Sequence, residues 1–287
     1  MRIRFTYYAA SFGLALLTAC SPAAVLETQH SDSGETTPAQ PQRVVSLDYC
    51  ADQYALKMLA PEHILALSPD AQAPFSYMRE AANDLPRVRA SAEDVIVLKP
   101  DLIIRSYGGG PNTAQFFERA GIPVVNIGWA GDIDGIKTVT MDMANALGVP
   151  EKGQSMIDEM NLRLQALKKR ARKPSTLYVT PSGATTGPGS LIDELMIAAG
   201  LENYEMSPGW RSLPLERLAY EPPDMIAAAF FDINKTERNG WSAARHPIAR
   251  RQMENLPTVA LEGSWMSCGA WFLIDAIEAL AQSKGVQ

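Results

Sequence analysis

Two stretches of this 287-residue chain decide its fold: EDVIVLKPDLII at residues 93–104 and ERLAYEPPDMIA at residues 216–227. In each stretch a Glu stands eight residues before the Asp of a Pro-Asp pair, and the Asp leads into an apolar run. A single Glu of this kind is usually a helix-start residue that favours the helix dipole. The recurrence of the whole spacing predicts a duplication, with one copy in each half of the chain.

Around these stretches, apolar runs alternate with segments of helical spacing. Strands are predicted at residues 43–47, 64–67, 101–104 and 123–127 in the first half, and at 177–180, 225–231 and 258–261 in the second. Helices are predicted at residues 51–59, 113–120, 190–199 and 270–282. Strands that alternate with helices predict parallel α/β sheets whose variable loops follow the carboxyl ends of the strands.

Residues 151–173 connect the two halves. Met156, Met160 and Leu164 recur there at helical spacing, and no Gly or Pro follows Gly153. This pattern predicts one amphipathic helix of about six turns. The sequence therefore predicts an α/β protein with two Rossmann-like lobes, residues 43–150 and 174–287, bridged by one long helix.

The amino-terminal residues predict export and a lipid anchor. A basic start is followed by an apolar stretch at residues 5–17, which is too short to span a bilayer, and then by Leu-Thr-Ala-Cys ending at Cys20. Residues 1–20 are therefore predicted to be a lipoprotein signal, with Cys20 acylated and the protein held on a membrane of the periplasm. An ordinary cleaved signal with an incidental Cys is the alternative. Residues 21–42 have the polar composition of a disordered tether.

Composition narrows the class of protein. Apolar residues make up 46% of the chain, which suffices for two lobes with their own cores. The formal net charge of −6 and the pI of about 5.2 argue against a nucleic-acid partner. Besides Cys20 the chain has only Cys50 and Cys268, too few for a disulfide scaffold, although an oxidising compartment would allow one bridge between them.

The motifs of common enzymes and metal sites are missing from the sequence. There is no GxSxG, no P-loop, no HExxH and no GxGxxG after a strand. The three histidines, His30, His63 and His246, are scattered and make a poor metal site. We therefore expect a binding protein with no cofactor, no directly bound metal ion and no catalytic residues.

Five segments resemble one family, the periplasmic substrate-binding proteins of the iron-siderophore and cobalamin ABC importer class, of the type with a helical backbone. They are RVVSLDYCADQ, KPDLII, GIPVV, the linker helix after ALGVP, and GSLIDELMIAAGLEN. The resemblance implies a monomer that captures a metal chelate, either a ferric siderophore or cobalamin, and delivers it to a permease dimer with its ATPase. Direct binding of a metal ion or of heme is the alternative within the same transport class, and a periplasmic enzyme is a second alternative.

The same resemblance assigns a role to the repeated glutamates. In this family one surface Glu on each lobe docks into an Arg-lined pocket of a permease subunit, and Glu93 and Glu216 occupy those places in the sequence. An exposed carboxylate offered to an arginine is a sound physical basis for docking. The alternative is that both are solvated acids at helix starts.

The ligand is expected in a cleft between the lobes, at the carboxyl ends of the strands. Large aromatic rings and a few cations in the loops there suit a bulky, partly anionic chelate, although any one ring could belong to the core instead. The predicted ligand-binding residues are Tyr49, Arg105, Tyr107, Trp129, Trp210, Arg211, Trp265 and Trp271, with Phe231, Asp232 and Lys235 in a further loop. Cys50 and Cys268 would face the same cleft, where they would form a disulfide, contact the ligand as thiols, or lie apart as small buried residues.

Overall fold

The computed structural model describes residues 40–167, 171–229 and 242–283. Three sets of predicted features lie outside the described residues. They are the signal with Cys20, almost all of the tether, and the loop residues Phe231, Asp232 and Lys235.

The first lobe is built on a parallel sheet of four strands in the order β2-β1-β3-β4. The strands are β1 Val44–Ser46, β2 Ile64–Ala66, β3 Leu102–Arg105 and β4 Val124–Asn126. The helices are α1 Tyr49–Met58, α2 Ala92–Ile96, α3 Thr113–Arg119 and α4 Ile133–Ala146. β1 and β3 are buried along their whole length, as expected for central parallel strands covered by helices on both faces.

The second lobe repeats this arrangement. Its parallel sheet has the order β10-β9-β5-β7, and a separate antiparallel pair joins β6 to β8. The strands are β5 Ser175–Val179, β6 Ala184–Thr186, β7 Glu202–Asn203, β8 Trp210–Ser212, β9 Met225–Ala229 and β10 Thr258–Leu261. The helices are α6 Leu191–Ala198, α7 Leu215–Tyr220, α8 Pro247–Asn255, α9 Gly263–Met266 and α10 Leu273–Gln282. The two parallel sheets have the same strand order: the first strand (β1 or β5) has the second of its sheet (β2 or β7) on one side and the third (β3 or β9) on the other, and the fourth (β4 or β10) lies next to the third.

The Pro-Asp pairs show the duplication in atomic detail. Asp101 accepts the backbone N–H of Arg43 at 2.9 Å, and its own N–H donates to the Arg43 carbonyl. Asp224 makes the same two bonds with Ser175, in both cases at 2.8 Å. Each Asp therefore ties the start of one strand to the start of its neighbour, β1 to β3 in the first lobe and β5 to β9 in the second.

The linker helix, α5, runs over Pro150–Ala166. Gly153 lets it approach α4 closely, because a Cβ at this position would collide with Ala144. The prediction that the helix continues to Lys173 is wrong, since Leu167 has an extended backbone and residues 171–173 are not helical. Pro174 disfavours helical geometry in the residue before it, and Arg172 pairs with Asp224 at 2.9 Å instead of extending the helix.

The core is continuous between the lobes. One cluster of buried side chains joins Val44 and Ile104 of the first lobe, Met160 of α5, and Tyr178 and Ile277 of the second. The α/β fold with two lobes and a bridging helix is therefore confirmed. Because the lobes share one core, the structure favours small motions between them over wide opening.

Candidate ligand-binding cleft

A cavity of about 540 Å³ lies between the lobes, within the range of ligand sites in proteins. The first lobe lines it with residues that follow β1, β3 and β4, where the parallel-sheet rule predicts a site. The second lobe contributes the start of α6, one residue of β8, and the segment around the end of α9. The lining residues are Tyr49, Cys50, Tyr54, Ser106, Tyr107, residues 127–131, residues 189–192, Trp210, residues 266–269 and Leu273.

Asp48 holds one wall of the cleft in place. Its buried carboxylate caps α1 by accepting the N–H of Ala51 at 3.1 Å. The same carboxylate accepts the N–H groups of Ser106, Tyr107 and Gly108 at 2.7, 3.0 and 2.9 Å. Gly108 is required there, because a Cβ at this position would collide with the backbone oxygen of Leu47. This one side chain thus fixes the loop that carries Tyr107.

Tyr49 lies where the two lobes meet. Its hydroxyl donates to the carbonyl of Ser267 in the second lobe at 3.0 Å. Its ring makes edge contacts with Phe75 and Tyr107, at centroid distances of 4.9 and 5.8 Å. Burial raises the pKa of the Tyr49 hydroxyl, so Tyr49 is neutral at physiological pH and offers a ligand an aromatic face rather than a charge.

Three large rings of the cavity lining face solvent. Tyr107 is 53% exposed, Trp210 is 61% exposed and Trp129 is 90% exposed. Trp210 makes an edge contact with Tyr178 at 6.0 Å. Exposed rings on both lobes leave apolar area uncovered on each side of one opening, which is typical of a binding site for a large ligand.

Cys50 and Cys268 form a disulfide across the floor of the cleft, with 5.9 Å between their Cα atoms. Cys50 belongs to the first turn of α1, whereas Cys268 follows α9 in the second lobe. The bridge and the Tyr49 hydrogen bond to Ser267 therefore connect the same two segments. Of the three arrangements that the sequence left open, the structure has the bridged one.

The lining residues that the structure describes include no charged side chain. Arg105, expected in the cleft, is buried and does not line the cavity. Alternate residues of a strand face the same side of the sheet, so Arg105 lies on the same face as Ile103, which packs with Val95 and Phe117 in a buried cluster of the first lobe. Arg211 is partly exposed and lies 3.8 Å from the Glu205 carboxylate, also outside the lining.

Two of the expected aromatic residues belong to the core rather than to the cavity lining. Trp271 is buried and packs edge-on against Tyr54 and Phe272. Trp265 packs against the largest core cluster and is absent from the lining. Both flank, along the chain, the segment at residues 266–269, which does line the cavity.

Several lining positions carry no signal in the sequence. Ala130, Gly131 and Met266 carry no polar or aromatic group that would have singled them out. Leu191 and Ile192 look like ordinary core residues of an amphipathic helix. The start of α6 could have been predicted to line the cleft, because helices in such folds begin near the carboxyl ends of strands.

Glu93 and Glu216 occupy matching places outside the cleft. Each is the second residue of a short helix, α2 or α7, and each is exposed. Among the described residues neither carboxylate has a hydrogen bond or an ion pair. Within the same residues, no cluster of side chains suits a metal ion and no helix is long and apolar enough to cross a membrane.

A family model described as "Periplasmic binding protein" matches residues 44–238, more than half of the chain. The chain belongs to this family. The match confirms the resemblance inferred from the sequence segments.

One curated relative of this periplasmic binding protein is the vitamin B12-binding protein of Vibrio campbellii, 29% identical over 134 residues. The alignment covers 45% of this chain and 46% of the relative, so it spans about half the length of the curated relative.

Solved structures share the fold. The periplasmic heme-binding protein HutB of Vibrio cholerae has a TM-score of 0.67 at 19% identity, covering 83% of this chain and 96% of that one. A periplasmic heme-binding protein from Pseudomonas aeruginosa has a TM-score of 0.62 at 20% identity, covering 86% of this chain and 95% of that one. At such identities the likeness establishes the architecture and not the ligand.

Proposed function

We propose that this periplasmic binding protein captures a metal chelate of the cobalamin class and delivers it to an ABC permease. The observation that carries the proposal is the cleft, which is large and aromatic and whose described lining residues are all uncharged. Cobalamin has a broad apolar ring system edged by neutral amides, which suit aromatic faces and neutral hydrogen-bonding groups. The partial similarity to a vitamin B12-binding protein points the same way.

The contacts available in the cleft support a neutral chelate. Ser106, Ser190 and Ser267 line it together with the backbone of residues 127–131, and these groups can bond amides without adding charge. Heme and most ferric siderophores carry carboxylates or other anionic groups, and such groups are oriented best by arginine or lysine. Neither Arg105 nor Arg211 lines the cavity. Heme remains the second candidate, because solved structures of this fold include heme-binding proteins and both Tyr49 and Tyr107 line the cavity.

The test is a direct binding measurement on the purified protein. Quenching of tryptophan fluorescence is titrated with cyanocobalamin, hemin and a ferric hydroxamate in parallel. We expect the tightest binding for cyanocobalamin. The affinity should fall about tenfold or more in the Trp129→Ala and Trp210→Ala variants, since burial of one large apolar side chain against the ligand contributes roughly 1.5–3 kcal/mol. Tyr220→Ala, an exposed aromatic residue on α7, is the matched control. Tighter binding of hemin would replace cobalamin with heme as the ligand.

We further propose that Glu93 and Glu216 dock the loaded protein onto the two permease subunits. Both carboxylates are exposed and stand at equivalent positions on the two lobes. Glu93→Gln together with Glu216→Gln is expected to leave the dissociation constant for cyanocobalamin unchanged and to lower its uptake by cells. A loss of ligand affinity would place these residues in ligand binding instead.

Cys20 is proposed as the lipid anchor, followed by a tether that keeps the lobes away from the membrane surface. The tether expected at residues 21–42 ends earlier than that, because Gln40 bonds His63 and the N–H of Gln42 donates to Asp101 in the first lobe. The support is the Leu-Thr-Ala-Cys sequence after a short apolar stretch. Cys20→Ser is expected to move the protein from the membrane fraction to the soluble periplasmic fraction. Equal distribution of wild type and variant would rule the anchor out.

A further inference from the structure

Each lobe presents an acidic side chain beside a large apolar one. In α2 the pair is Glu93 and Val97, and in α7 it is Glu216 and Tyr220. Val97 is 72% exposed and Tyr220 is 85% exposed. Val97 directly follows the last residue of α2 and still has helical backbone angles. Residues four apart in a helix share a face, so each pair forms one surface. We name these surfaces the Glu93 patch (Glu93 and Val97) and the Glu216 patch (Glu216 and Tyr220).

The two patches are equivalent parts of the duplicated lobes. Two positions after each Glu a fully buried residue, Val95 or Leu218, fixes the helix against its lobe. With these residues pointing inward, the residues two positions before and after them lie together on the outer side of the helix. Single exposed apolar residues are common on protein surfaces and need no explanation. A large one at the same position of both lobes, each time beside an unpaired carboxylate, is a repeated feature.

The chemistry of the patches defines the surface that would complement them. Within the described part of the chain, neither carboxylate has a counter-ion, so each patch offers a negative charge with apolar area directly next to it. The matching surface is a cation flanked by apolar side chains. A partner with two similar subunits would present two such surfaces, one for each lobe.

We infer that Val97 and Tyr220 are the apolar half of two equivalent docking contacts, each of which binds one subunit of the permease. The inference rests on the proposed function, which supplies the permease and the role of the glutamates. The carboxylates would set orientation and association rate, as charges at the edge of an interface do. Burial of Val97 and Tyr220 would supply affinity and slow dissociation.

A photo-crosslinking amino acid placed at position 97, 220 or 162 tests the contact in cells that carry the whole transporter. Leu162 of α5 is the matched control, because it is apolar and 68% exposed but lies on neither patch. We expect positions 97 and 220 to crosslink to an ABC permease subunit, identified by mass spectrometry, with a yield about tenfold above position 162. Yields at 97 and 220 no higher than at 162 would overturn the inference.

Substitutions separate this inference from the function on which it rests. The full-length chain is captured on a tagged permease subunit at several salt concentrations. Val97→Ser with Tyr220→Ser is expected to lower capture about tenfold while the salt dependence remains, whereas Leu162→Ser has no effect. Glu93→Gln with Glu216→Gln is expected to remove the salt dependence.

The outcomes of the capture experiment are distinct. If the serine pair is captured like wild type while the glutamine pair is not, the apolar contacts are wrong and acidic docking stands. If the glutamine pair is also captured like wild type, the docking role in the proposed function fails as well.

Discussion

The hydroxyl of Tyr77 donates to the carboxylate of Asp275 at 2.7 Å and so ties a loop of the first lobe to α10 of the second. Arg163 of the linker helix completes the cluster, 2.6 Å from Asp275 and 2.7 Å from Glu278. The pKa of Glu278 is lowered by its hydrogen bond from Arg163, and that bond raises the pKa of the arginine. Both groups are therefore ionised at neutral pH, and one ionic cluster joins both lobes to α5.

The first prediction concerns this cluster. Arg163→Met removes the cation that two partly buried carboxylates share, so the free energy of unfolding should fall by about 2 kcal/mol. Urea unfolding at pH 7 measures the loss. Arg250→Met is the matched control, because the Arg250 pair with Glu254 is about two-thirds exposed on both sides and should contribute no more than about 0.5 kcal/mol. Equal losses in the two variants would mean that the Arg163 cluster has no special structural role.

The second prediction concerns the bridge between Cys50 and Cys268. A disulfide that closes so long a stretch of chain typically adds about 2–4 kcal/mol. Cys50→Ser with Cys268→Ser should therefore lower the free energy of unfolding by that amount. The change in radius of gyration on adding cyanocobalamin, measured by X-ray scattering, should be small in wild type and larger in the variant, because the bridge holds the floor of the cleft together.

Alkylation and mass spectrometry provide the control for the bridge. Folded, unreduced protein should show neither Cys50 nor Cys268 alkylated, and reduced protein should show both. Wild type in reductant should then unfold like the double serine variant. Two free thiols in the folded, unreduced protein would contradict the bridged arrangement.

The loops that form the cleft were predictable, because in a parallel sheet every strand ends at the same edge. Tyr49, Tyr107 and Trp129 follow β1, β3 and β4 and do line the cavity. The direction of each side chain was not predictable. Arg105 is the last residue of β3, and its side chain is buried instead of lining the cavity. Trp265 shows the same limit, since a ring that follows Gly263 and Ser264 fits a cavity wall or a core equally well in sequence, and in the structure it packs against the core.

Hydrogen bonds between residues that are far apart in the chain could not be predicted from the sequence either. Asp48 appeared as one polar residue in a loop, and its three bonds to residues 106–108 exist only because β1 and β3 are neighbours. The register of parallel strands depends on the whole sheet and not on the local pattern. The duplication could be predicted, because the same Glu-to-Asp spacing occurs twice along the chain and can be recognised without knowing which strands are neighbours in the sheet.

The third prediction concerns Asp48. Asp48→Ala removes the acceptor of three loop N–H groups and the cap of α1, so buried donors lose their partners. We expect the affinity for cyanocobalamin to fall about tenfold and the free energy of unfolding to fall by about 2–3 kcal/mol. Asp132→Ala, which removes only the cap of α4, is the control and should lower stability by about 1 kcal/mol with ligand affinity unchanged. Wild-type affinity in Asp48→Ala would show that the position of Tyr107 does not matter for binding.

The last prediction concerns Asp52, a buried residue of α1 whose carboxylate accepts the N–H and the hydroxyl of Ser68 at 3.0 and 2.6 Å. Burial raises the pKa of Asp52 from 3.8 to about 6, despite these hydrogen bonds. The unfolded chain therefore loses this proton near pH 4, while the folded protein keeps it until about pH 6. Between these values the unfolded state releases the proton first, so the contribution of Asp52 to stability falls as the pH rises, by at most about 3 kcal/mol.

Asp52→Asn abolishes this titration and leaves the other ionisable groups in place. The free energy of unfolding of wild type minus that of the variant should decrease between pH 4 and pH 7 and stay constant above pH 7. Urea unfolding of both proteins at pH 4, 5, 6, 7 and 8 gives that difference directly, and any fixed cost of the altered hydrogen bond to Ser68 cancels in its pH dependence. A difference that is constant from pH 4 to pH 8 would mean that Asp52 ionises in the folded protein as it does in the unfolded chain.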